Sequence, residues 1–257
     1  MGLSKLRLQT LGRVQFNLFL RVPVVAMLLP LFVASARPTG SGRLWGLLLV
    51  LALLESLRIV VLSTGFREDY YATYALYNTT PLFVLLMAPG LLGEPVSLST
   101  LAGAVFVVAG GFVFFRAGRL RVAGALSALI QALLTVLSKQ ALGLSAPVQF
   151  MFLLYGLSTV QLLGIELGRG APASTWAAWR QSWRAILPLS VLNVVAIMAY
   201  VQALAMAPAT HVAVLGRSSL VFGFALSVGW LGEREQWGGK LGGTVLIAAG
   251  AVVIALA

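Results

Sequence analysis

The sequence predicts an all-α polytopic membrane protein with about nine transmembrane helices in two inverted-topology repeats. Three observations predict this fold class: the composition, a succession of long apolar runs, and a repeat between the two halves of the chain. Hydrophobic residue types make up 60% of the 257 residues and charged types only 10%, whereas soluble domains carry about 25% charged residues. The composition therefore excludes a soluble globular enzyme and predicts a multi-pass protein of the cell membrane.

Hydropathy, charge and cysteine content exclude further classes. The mean hydropathy of +0.96 is the opposite of the low hydrophobicity that keeps chains disordered. The net charge of +11 comes from basic residues scattered between apolar runs, so we expect no nucleic-acid partner. The sequence has no cysteine, seven acidic residues and one histidine, which leaves little material for a catalytic cluster or a metal site. We therefore expect neither an enzyme nor a bound cofactor.

The predicted spans follow from the length of each apolar run. A bilayer core about 30 Å thick requires about 20 apolar residues per helix, and nine such runs are present. We expect only one connection longer than about ten residues, between Gly168 and Trp183, so little of the chain lies outside the membrane. Turn and helix-breaking residues separate most of the spans, namely 38–42, 65–69, Glu94 with Pro95, Gly118, Pro147 and Pro208. In order, the predicted spans are 14–36, 44–64, 69–92, 97–116, 120–142, 147–166, 184–206, 208–232 and 236–256.

The distribution of Lys and Arg predicts the orientation, because the cytoplasmic side of a membrane protein retains basic residues. Twelve basic residues fall on the side of the N-terminus and three on the other, namely Arg37, Arg43 and Lys139. We expect the N-terminus inside and the C-terminus outside. An alternative concerns the first span, since a basic start, the apolar stretch 22–33 and the Ala34-Ser35-Ala36 sequence also fit a cleavable signal peptide.

The two halves of the chain are related by a repeat. Residues 92–113 align without gaps with residues 231–252, at an offset of 139, and seven of the 22 positions are identical. Equivalent spans are five apart, an odd number, so each crosses the membrane opposite to its partner. Inverted-topology repeats of this kind characterise secondary transporters; the alternative is that the duplication only builds a stable helical bundle. The same register sets Asn78 against Arg217, and an offset of 134 matches 14–16 (VQF) with 148–150.

The repeat also carries a family resemblance. Residues 203–256, with a Pro entry, a Leu-Gly-Glu turn and a glycine-spaced last helix, resemble the last two helices of EamA-type proteins of the drug/metabolite transporter superfamily; residues 79–111 are similar to the corresponding part of the first family repeat. The resemblance implies two inverted repeats around a central cavity. It gives 1–116 as a first repeat of four helices that lacks a first helix, and 117–257 as a second repeat of five. It also implies a chain start outside the cell, opposite to the orientation that the charges predict.

Polar residues inside the spans are the candidate site residues. A charge at the bilayer centre costs about 2.5–3.5 kcal/mol on insertion scales, so it should face protein or water. Glu55 and Arg58 lie at i and i+3, close enough for an ion pair that either contacts substrate or only makes insertion tolerable. Arg217 has no acid within four positions and needs a carbonyl, an anionic ligand or a carboxylate such as Glu55. We predict a substrate site from Arg217, Glu55, Arg58, Asn78, Gln131, Asn193, Tyr200 and Tyr155.

Other polar residues receive a structural interpretation. We take Arg21 as an ordinary charge flanking the first span or snorkelling to the interface, and His211 as a capped or solvated side chain at a helix start. Glu94 and Glu233, the paired acids of the repeat, are expected to shape the turns between spans. Four glycines spaced by eight residues predict close helix packing: Gly103, Gly111, Gly242 and Gly250.

These observations together predict a function. We expect a secondary transporter or exporter of a small metabolite or drug-like compound, with alternating access at a midplane cavity between the inverted repeats. The alternative is a channel or a structural membrane subunit without carrier activity. The expected partners are a small-molecule substrate and the lipid bilayer. Transport coupled to protons or to exchange, and assembly into a homodimer, are alternatives compatible with the sequence. An arginine in the site favours an anionic or zwitterionic substrate.

Overall fold

The computed structural model describes residues 13–35, 41–68, 70–115, 122–168, 172–229 and 237–255. Every regular element within these ranges is helical, as predicted. The helices are α1 (Arg13–Ser35), α2 (Gly42–Glu68), α3 (Tyr70–Tyr77), α4 (Thr80–Leu92), α5 (Leu98–Phe115), α6 (Val122–Leu142), α7 (Pro147–Gly168), α8 (Pro172–Met206), α9 (Ala209–Leu215), α10 (Ser219–Gly229) and α11 (Trp237–Ala255), with a 3-10 turn at Gly216–Ser218.

Six stretches in the described residues are long and apolar enough to cross a membrane. Two further apolar helices are shorter, Leu98–Phe114 and Gly238–Ile254, and the predicted span 208–232 is divided into α9, the 3-10 turn and α10. The predicted count of nine spans therefore stays a prediction. The six long stretches are Val14–Ser35, Gly42–Gly65, Thr73–Leu92, Val122–Leu142, Pro147–Gly168 and Thr175–Met206.

The long connection predicted between Gly168 and Trp183 is wrong. A single helix of 35 residues, α8, begins at Pro172 and continues to Met206. Proline suits the first position of a helix, where its missing N–H costs nothing. The next residues include several polar and aromatic types, so hydropathy placed the start of this span too late, at residue 184. None of these residues breaks a helix before Pro188.

The chain forms two compact units. Unit 1 contains residues 1–63 and 140–205, and unit 2 contains residues 64–139 and 206–257. Each unit thus combines residues from both predicted repeats.

In unit 1, α1 packs against α7, the helix predicted to be its repeat partner. Near the end of α1, Phe32 stacks on Phe152 with ring centroids 4.3 Å apart, while Leu18 near its start shares a buried cluster with Leu162. Positions late in α1 therefore meet positions early in α7. The two helices run antiparallel, as expected for equivalent helices of an inverted repeat.

In unit 2, α5 and α11 also run antiparallel, and their backbones touch. A Cβ atom added to Gly103 would lie 2.8 Å from the carbonyl oxygen of Gly250, and one added to Gly110 would lie 2.7 Å from that of Gly243. Distances below 3.0 Å leave no room for a side chain, so glycine is required at these positions. The predicted packing role of Gly103 and Gly250 is confirmed.

The other two glycines of the predicted stripe have different surroundings. A Cβ added to Gly242 would meet only Val113, at an ordinary 3.7 Å, whereas one added to Gly111 would lie 2.2 Å from Nδ2 of Asn78. The spacing of eight residues therefore identified the correct helices but only part of the contact face.

Neighbouring glycines of α11 allow a matched test of this contact. In Gly243→Ala, the new Cβ would lie 2.5 Å from the backbone nitrogen of Phe114, so we expect a loss of about 1–3 kcal/mol from overpacking. Gly242→Ala should change the stability by less than about 0.5 kcal/mol. Equal thermal unfolding midpoints for the two variants in detergent would contradict the packing described here.

Two interruptions lie at equivalent positions of the repeat. Between α3 and α4, Pro81 lacks the N–H that would bond to the Tyr77 carbonyl, and the Thr80 hydroxyl donates to that oxygen instead, at 2.6 Å. At the start of α10, the Ser219 hydroxyl donates to the Gly216 carbonyl of the 3-10 turn at 3.0 Å. Ser219 and Gly216 lie 139 residues after Thr80 and Tyr77, which is the offset of the sequence repeat.

The hydroxyls one position earlier repeat the same pattern. Thr79 donates to the Leu76 carbonyl, and Ser218 donates to the Leu215 carbonyl, both at 2.7 Å. At each interruption, two successive hydroxyl side chains thus donate to backbone carbonyls, and the Leu76 carbonyl also accepts the backbone N–H of Thr79 at 2.9 Å. The interruptions place Asn78 and Arg217 at corresponding points of the two predicted repeats.

Candidate functional site

Arg217 in unit 2 is half-buried, and its guanidinium lies over the ring of Tyr77, 4.6 Å from the centroid. This is a cation–π contact. The hydroxyl of Tyr77 donates a hydrogen bond of 3.0 Å to Oε1 of Gln131 on α6. The structure therefore brings Arg217 and Gln131, two of the predicted site residues, together through Tyr77. We call Tyr77, Asn78, Gln131 and Arg217 the Arg217 cluster.

Asn78 adjoins Tyr77 at the interruption between α3 and α4. Its side chain is fully buried, and neither polar atom of its amide has a hydrogen-bond partner among the described residues. Buried polar side chains almost always have a partner, and inside a membrane an unpaired polar group costs several kcal/mol. Asn78 is therefore suited to bind a polar ligand or to change partners between conformations.

Unit 1 contains the predicted ion pair between Glu55 and Arg58. Nε of Arg58 donates to Oε2 of Glu55 at 2.9 Å, and Nη2 donates to Oε1 at 2.7 Å. This two-pronged arrangement is the strongest geometry of an arginine–carboxylate pair. The side chain of Glu55 is 11% exposed and that of Arg58 is 18% exposed, so the pair lies largely out of solvent.

Arg21 completes this group of charges, and its interpretation as a flanking charge is wrong. It is buried, and it donates hydrogen bonds to Glu55 and to the hydroxyl of Ser158 on α7. Its guanidinium also lies 4.7 Å from the centre of the Tyr155 ring. We call Arg21, Glu55 and Arg58 the Glu55 cluster.

A sequence signal for Arg21 existed in the repeat itself. The offset of 134 that matches the VQF segments sets Arg21 against Tyr155, and these two residues contact each other. The position of Arg21 along the span does not decide its role. An arginine one to two turns inside an apolar run can either reach the membrane interface or form an ion pair within the protein.

The net charge of the Glu55 cluster is +1, because two guanidinium groups share one carboxylate. Both oxygens of Glu55 are bonded to arginines of its own unit. The sequence also offers Glu55 as a partner for Arg217, which belongs to unit 2. The contacts within unit 1 give Glu55 a sufficient set of partners without Arg217.

The remaining predicted site residues lie in unit 1. Tyr155 contacts Arg21 as described, whereas Asn193 and Tyr200 are half-buried positions on α8. Among the residues that the structure describes, no group of three His, Asp or Glu side chains could hold a metal ion.

Glu94, in the turn after α4 of unit 2, forms a hydrogen bond with the start of α9. Its Oε2 accepts the backbone N–H of Ala209 at 2.8 Å, and its Oε1 lies 3.5 Å from Nζ of Lys139. Lys139 also donates to the carbonyl of Ala207. A carboxylate at a helix start bonds the free N–H groups and favours the helix dipole. The predicted structural role of Glu94 is thus observed; Glu233 lies outside the described residues.

We expect removal of the Glu94 carboxylate to loosen the start of α9. In Glu94→Ala, the N–H of Ala209 loses its acceptor, with a cost of about 0.5–2 kcal/mol. Faster amide hydrogen exchange over residues 209–212, with little change over α7, would be the signature. Unchanged exchange at Ala209 would contradict the capping role.

His211 lies on α9, and its Nε2 is 3.1 Å from Oγ1 of Thr100 on α5. The histidine predicted to be capped or solvated is therefore hydrogen-bonded to a buried threonine.

Comparison with known proteins places these features in a family context. Residues 121–256 match the sequence model of the EamA-like transporter family. A solved structure titled "Crystal structure of protein" superposes with a TM-score of 0.77 and 18% sequence identity, over 98% of this chain and 94% of that one. At this identity the superposition shows a shared fold alone. No curated protein matches the chain.

Proposed function

The chain belongs to the EamA-like transporter family of the drug/metabolite transporter superfamily, and from this premise we propose that it is a secondary transporter or exporter of a small metabolite or drug-like compound. The family and the apolar helices make it an integral membrane protein. We further propose that two inverted repeats give the substrate site access to one side of the membrane at a time.

The observation that carries the proposal is the pair of helix interruptions at Asn78 and Arg217. In many secondary transporters, interrupted helices at corresponding positions of inverted repeats form the substrate and ion sites. The hydroxyl–carbonyl bonds around the two interruptions occur at the same offset of 139 residues. The antiparallel pairs α1–α7 and α5–α11 support the same symmetry.

The Arg217 cluster supports a substrate with an anionic group. A guanidinium presents a planar fork of N–H donors that fits a carboxylate or phosphate, and the described residues give Arg217 an aromatic contact and no acidic one. The buried amide of Asn78 and the Tyr77–Gln131 pair add hydrogen-bonding groups beside it. We propose that Arg217 binds the anionic group and that Asn78 and Gln131 position the rest of the substrate.

The Glu55 cluster is proposed as a second polar part of the substrate pathway. Arg58 is its more exposed cation, and a substrate carboxylate that competed for it would change the pairing within the cluster. Tyr155, Asn193 and Tyr200 are proposed to contribute hydrogen bonds in the same unit. Energy would come from an ion gradient or from exchange, because the sequence has no ATP-binding motif.

Metabolite profiling tests the proposal and supplies the substrate. Cells that overproduce the protein, cells that lack it and cells that carry Arg217→Gln should be compared for accumulation and growth across a compound panel. We expect one or a few anionic or zwitterionic compounds to change in the first two strains in opposite directions, with the variant matching the deletion. No difference among the strains for any compound would oppose the assignment.

A further inference from the structure

A cavity of about 350 Å³ lies in unit 1, bounded by the first turns of α1, the end of α7 and the start of α8. Its wall includes residues of α7 from Thr159 to Leu167, a stretch of about 12 Å along the helix. Leucine, valine and aromatic side chains form most of the described wall, including Phe19, Trp176 and Trp179. A long apolar cavity of this kind favours a hydrocarbon chain over water.

The wall of the cavity is accessible from outside the protein. Leu163 and Leu167 of α7 are 44% and 54% exposed, and Trp176 of α8 is 59% exposed. Exposed leucines on a helix long enough to cross a membrane contact the lipid tails, which are as apolar as leucine. Glu166, the acidic residue of the described wall, is buried and already interacts within the protein, so we give it no role in ligand binding.

The start of α8 is suited to the surface of the bilayer. The 35 residues of this helix measure about 52 Å, whereas the hydrocarbon core of a bilayer is about 30 Å thick. Trp176 and Trp183 lie in its first turns, and Leu187 and Val191 follow on the same face, 40% and 46% exposed. Tryptophan followed by exposed aliphatic residues is typical of a helix that passes from lipid headgroups into hydrocarbon.

Two exposed arginines lie on this face of α8, beside the tryptophans. The guanidinium of Arg180 lies 5.8 Å from the ring centroid of Trp176, and that of Arg184 lies 5.5 Å from the ring centroid of Trp183. Among the described residues, no carboxylate pairs with either arginine. Because Trp176 also belongs to the cavity wall, unpaired guanidinium groups border the apolar cavity. Their N–H donors fit the oxygens of a phosphate.

We propose that unit 1 binds an anionic phospholipid at this place, with the phosphate beside Arg180 and Arg184 and one acyl chain in the cavity. Basic pockets between transmembrane helices bind anionic lipid headgroups on the cytoplasmic side, and the charge bias of the sequence predicts that this end of unit 1 is cytoplasmic. A soluble phosphate compound would use the arginines but not the apolar cavity. The site is separate from the Arg217 cluster and does not depend on the proposed transport activity.

The test offers the purified full chain, in dodecyl maltoside, an equimolar mixture of two lipids with identical oleoyl chains. One is phosphatidylglycerol, which is anionic, and the other is phosphatidylcholine, which is zwitterionic. Native mass spectrometry identifies the lipid that the protein retains most tightly. We expect the wild type to retain phosphatidylglycerol at least about ten-fold over phosphatidylcholine, because each basic residue near an anionic lipid surface contributes about five-fold.

Variants assign this preference to α8 and to the cavity. Arg180→Gln should lower the preference about five-fold, and adding Arg184→Gln should lower it further. Arg43→Gln is the matched control, because it removes the same charge from an exposed position at the start of α2 in the same unit, and it should leave the preference unchanged. Val22→Phe adds bulk to the cavity wall and should weaken the retention of both lipids.

A soluble competitor separates a lipid from a free phosphate ligand. Glycerol 3-phosphate in large excess carries the phosphate without acyl chains and should not displace the bound lipid. Thermal unfolding midpoints would identify any variant that fails to fold, and the comparison of the two lipids on the wild type needs no variant.

Four results would overturn the proposal. Equal retention of the two lipids by the wild type would show that the arginines do not select an anionic headgroup. An undiminished preference in the folded double variant would place the binding elsewhere. Equal losses in Arg43→Gln and Arg180→Gln would reduce the preference to the overall charge of the protein. Displacement by glycerol 3-phosphate would assign the arginines to a soluble phosphate compound.

Discussion

Arg217→Gln should lower the rate of substrate transport at least about 30-fold while leaving expression and folding near normal. Losing one partner of a buried, charge-assisted contact costs about 2–5 kcal/mol, and 2 kcal/mol corresponds to about 30-fold. Arg217 stacks on Tyr77 without a described acidic partner, so its replacement leaves no buried carboxylate unpaired. The measurement is initial uptake into proteoliposomes of the compound that the profiling identifies.

Two further variants separate a ligand role of Arg217 from a packing role. Arg217→Lys keeps the charge but loses the planar fork, so an intermediate defect is expected for a carboxylate or phosphate substrate. Tyr77→Phe keeps the ring under the guanidinium and removes the hydroxyl that donates to Gln131, so its defect should be smaller than that of Arg217→Gln. Full transport with an unchanged half-saturation in Arg217→Gln would show that Arg217 only holds helices together.

Glu55→Gln is expected to give the largest loss of stability, about 3–5 kcal/mol. Removing one partner of a buried ion pair leaves its counterpart uncompensated, and here one carboxylate serves the two guanidinium groups of Arg21 and Arg58. Unfolding in a denaturing detergent, followed by circular dichroism, would measure the change. A loss below about 1 kcal/mol, the value typical of an exposed pair, would contradict the cluster.

A second substitution added to Glu55→Gln shows whether Glu55 pairs with Arg21 or with Arg217. If Arg21 is bonded to Glu55 as described, adding Arg21→Gln should recover part of the lost stability, since it removes one of the two uncompensated charges. Adding Arg217→Gln should recover none. Recovery by Arg217→Gln alone would instead make Glu55 and Arg217 a structural pair.

The helical class followed from hydropathy, because a run of about 20 apolar residues has few alternatives in lipid. The same measure failed at the start of α8, where Trp176, Arg180 and Trp183 reduce hydropathy without breaking a helix. It also treated 208–232 as one span, although the 3-10 turn Gly216–Ser218 divides it. Hydropathy reports burial in lipid, whereas helix ends and interruptions depend on local hydrogen bonds.

The pair Glu55–Arg58 was predictable because it lies within one helix turn. The third member, Arg21, joins it from another helix, and only packing brings the two helices together. Glu166 was not singled out at all, because an acid at the end of an apolar run normally lies at the membrane surface. It lines one cavity together with Trp176 and Trp179 of α8, which lie in the segment that the sequence predicted as a connection.

The measurement that most directly tests the account is counterflow of the identified compound in proteoliposomes of purified protein. Vesicles loaded with excess unlabelled compound should take up labelled compound transiently above equilibrium, with saturable initial rates, and Arg217→Gln vesicles should not. This behaviour requires a site that opens to the two sides in turn. Uptake that rises linearly with concentration and shows no overshoot would mean a channel, and would contradict alternating access by the repeats.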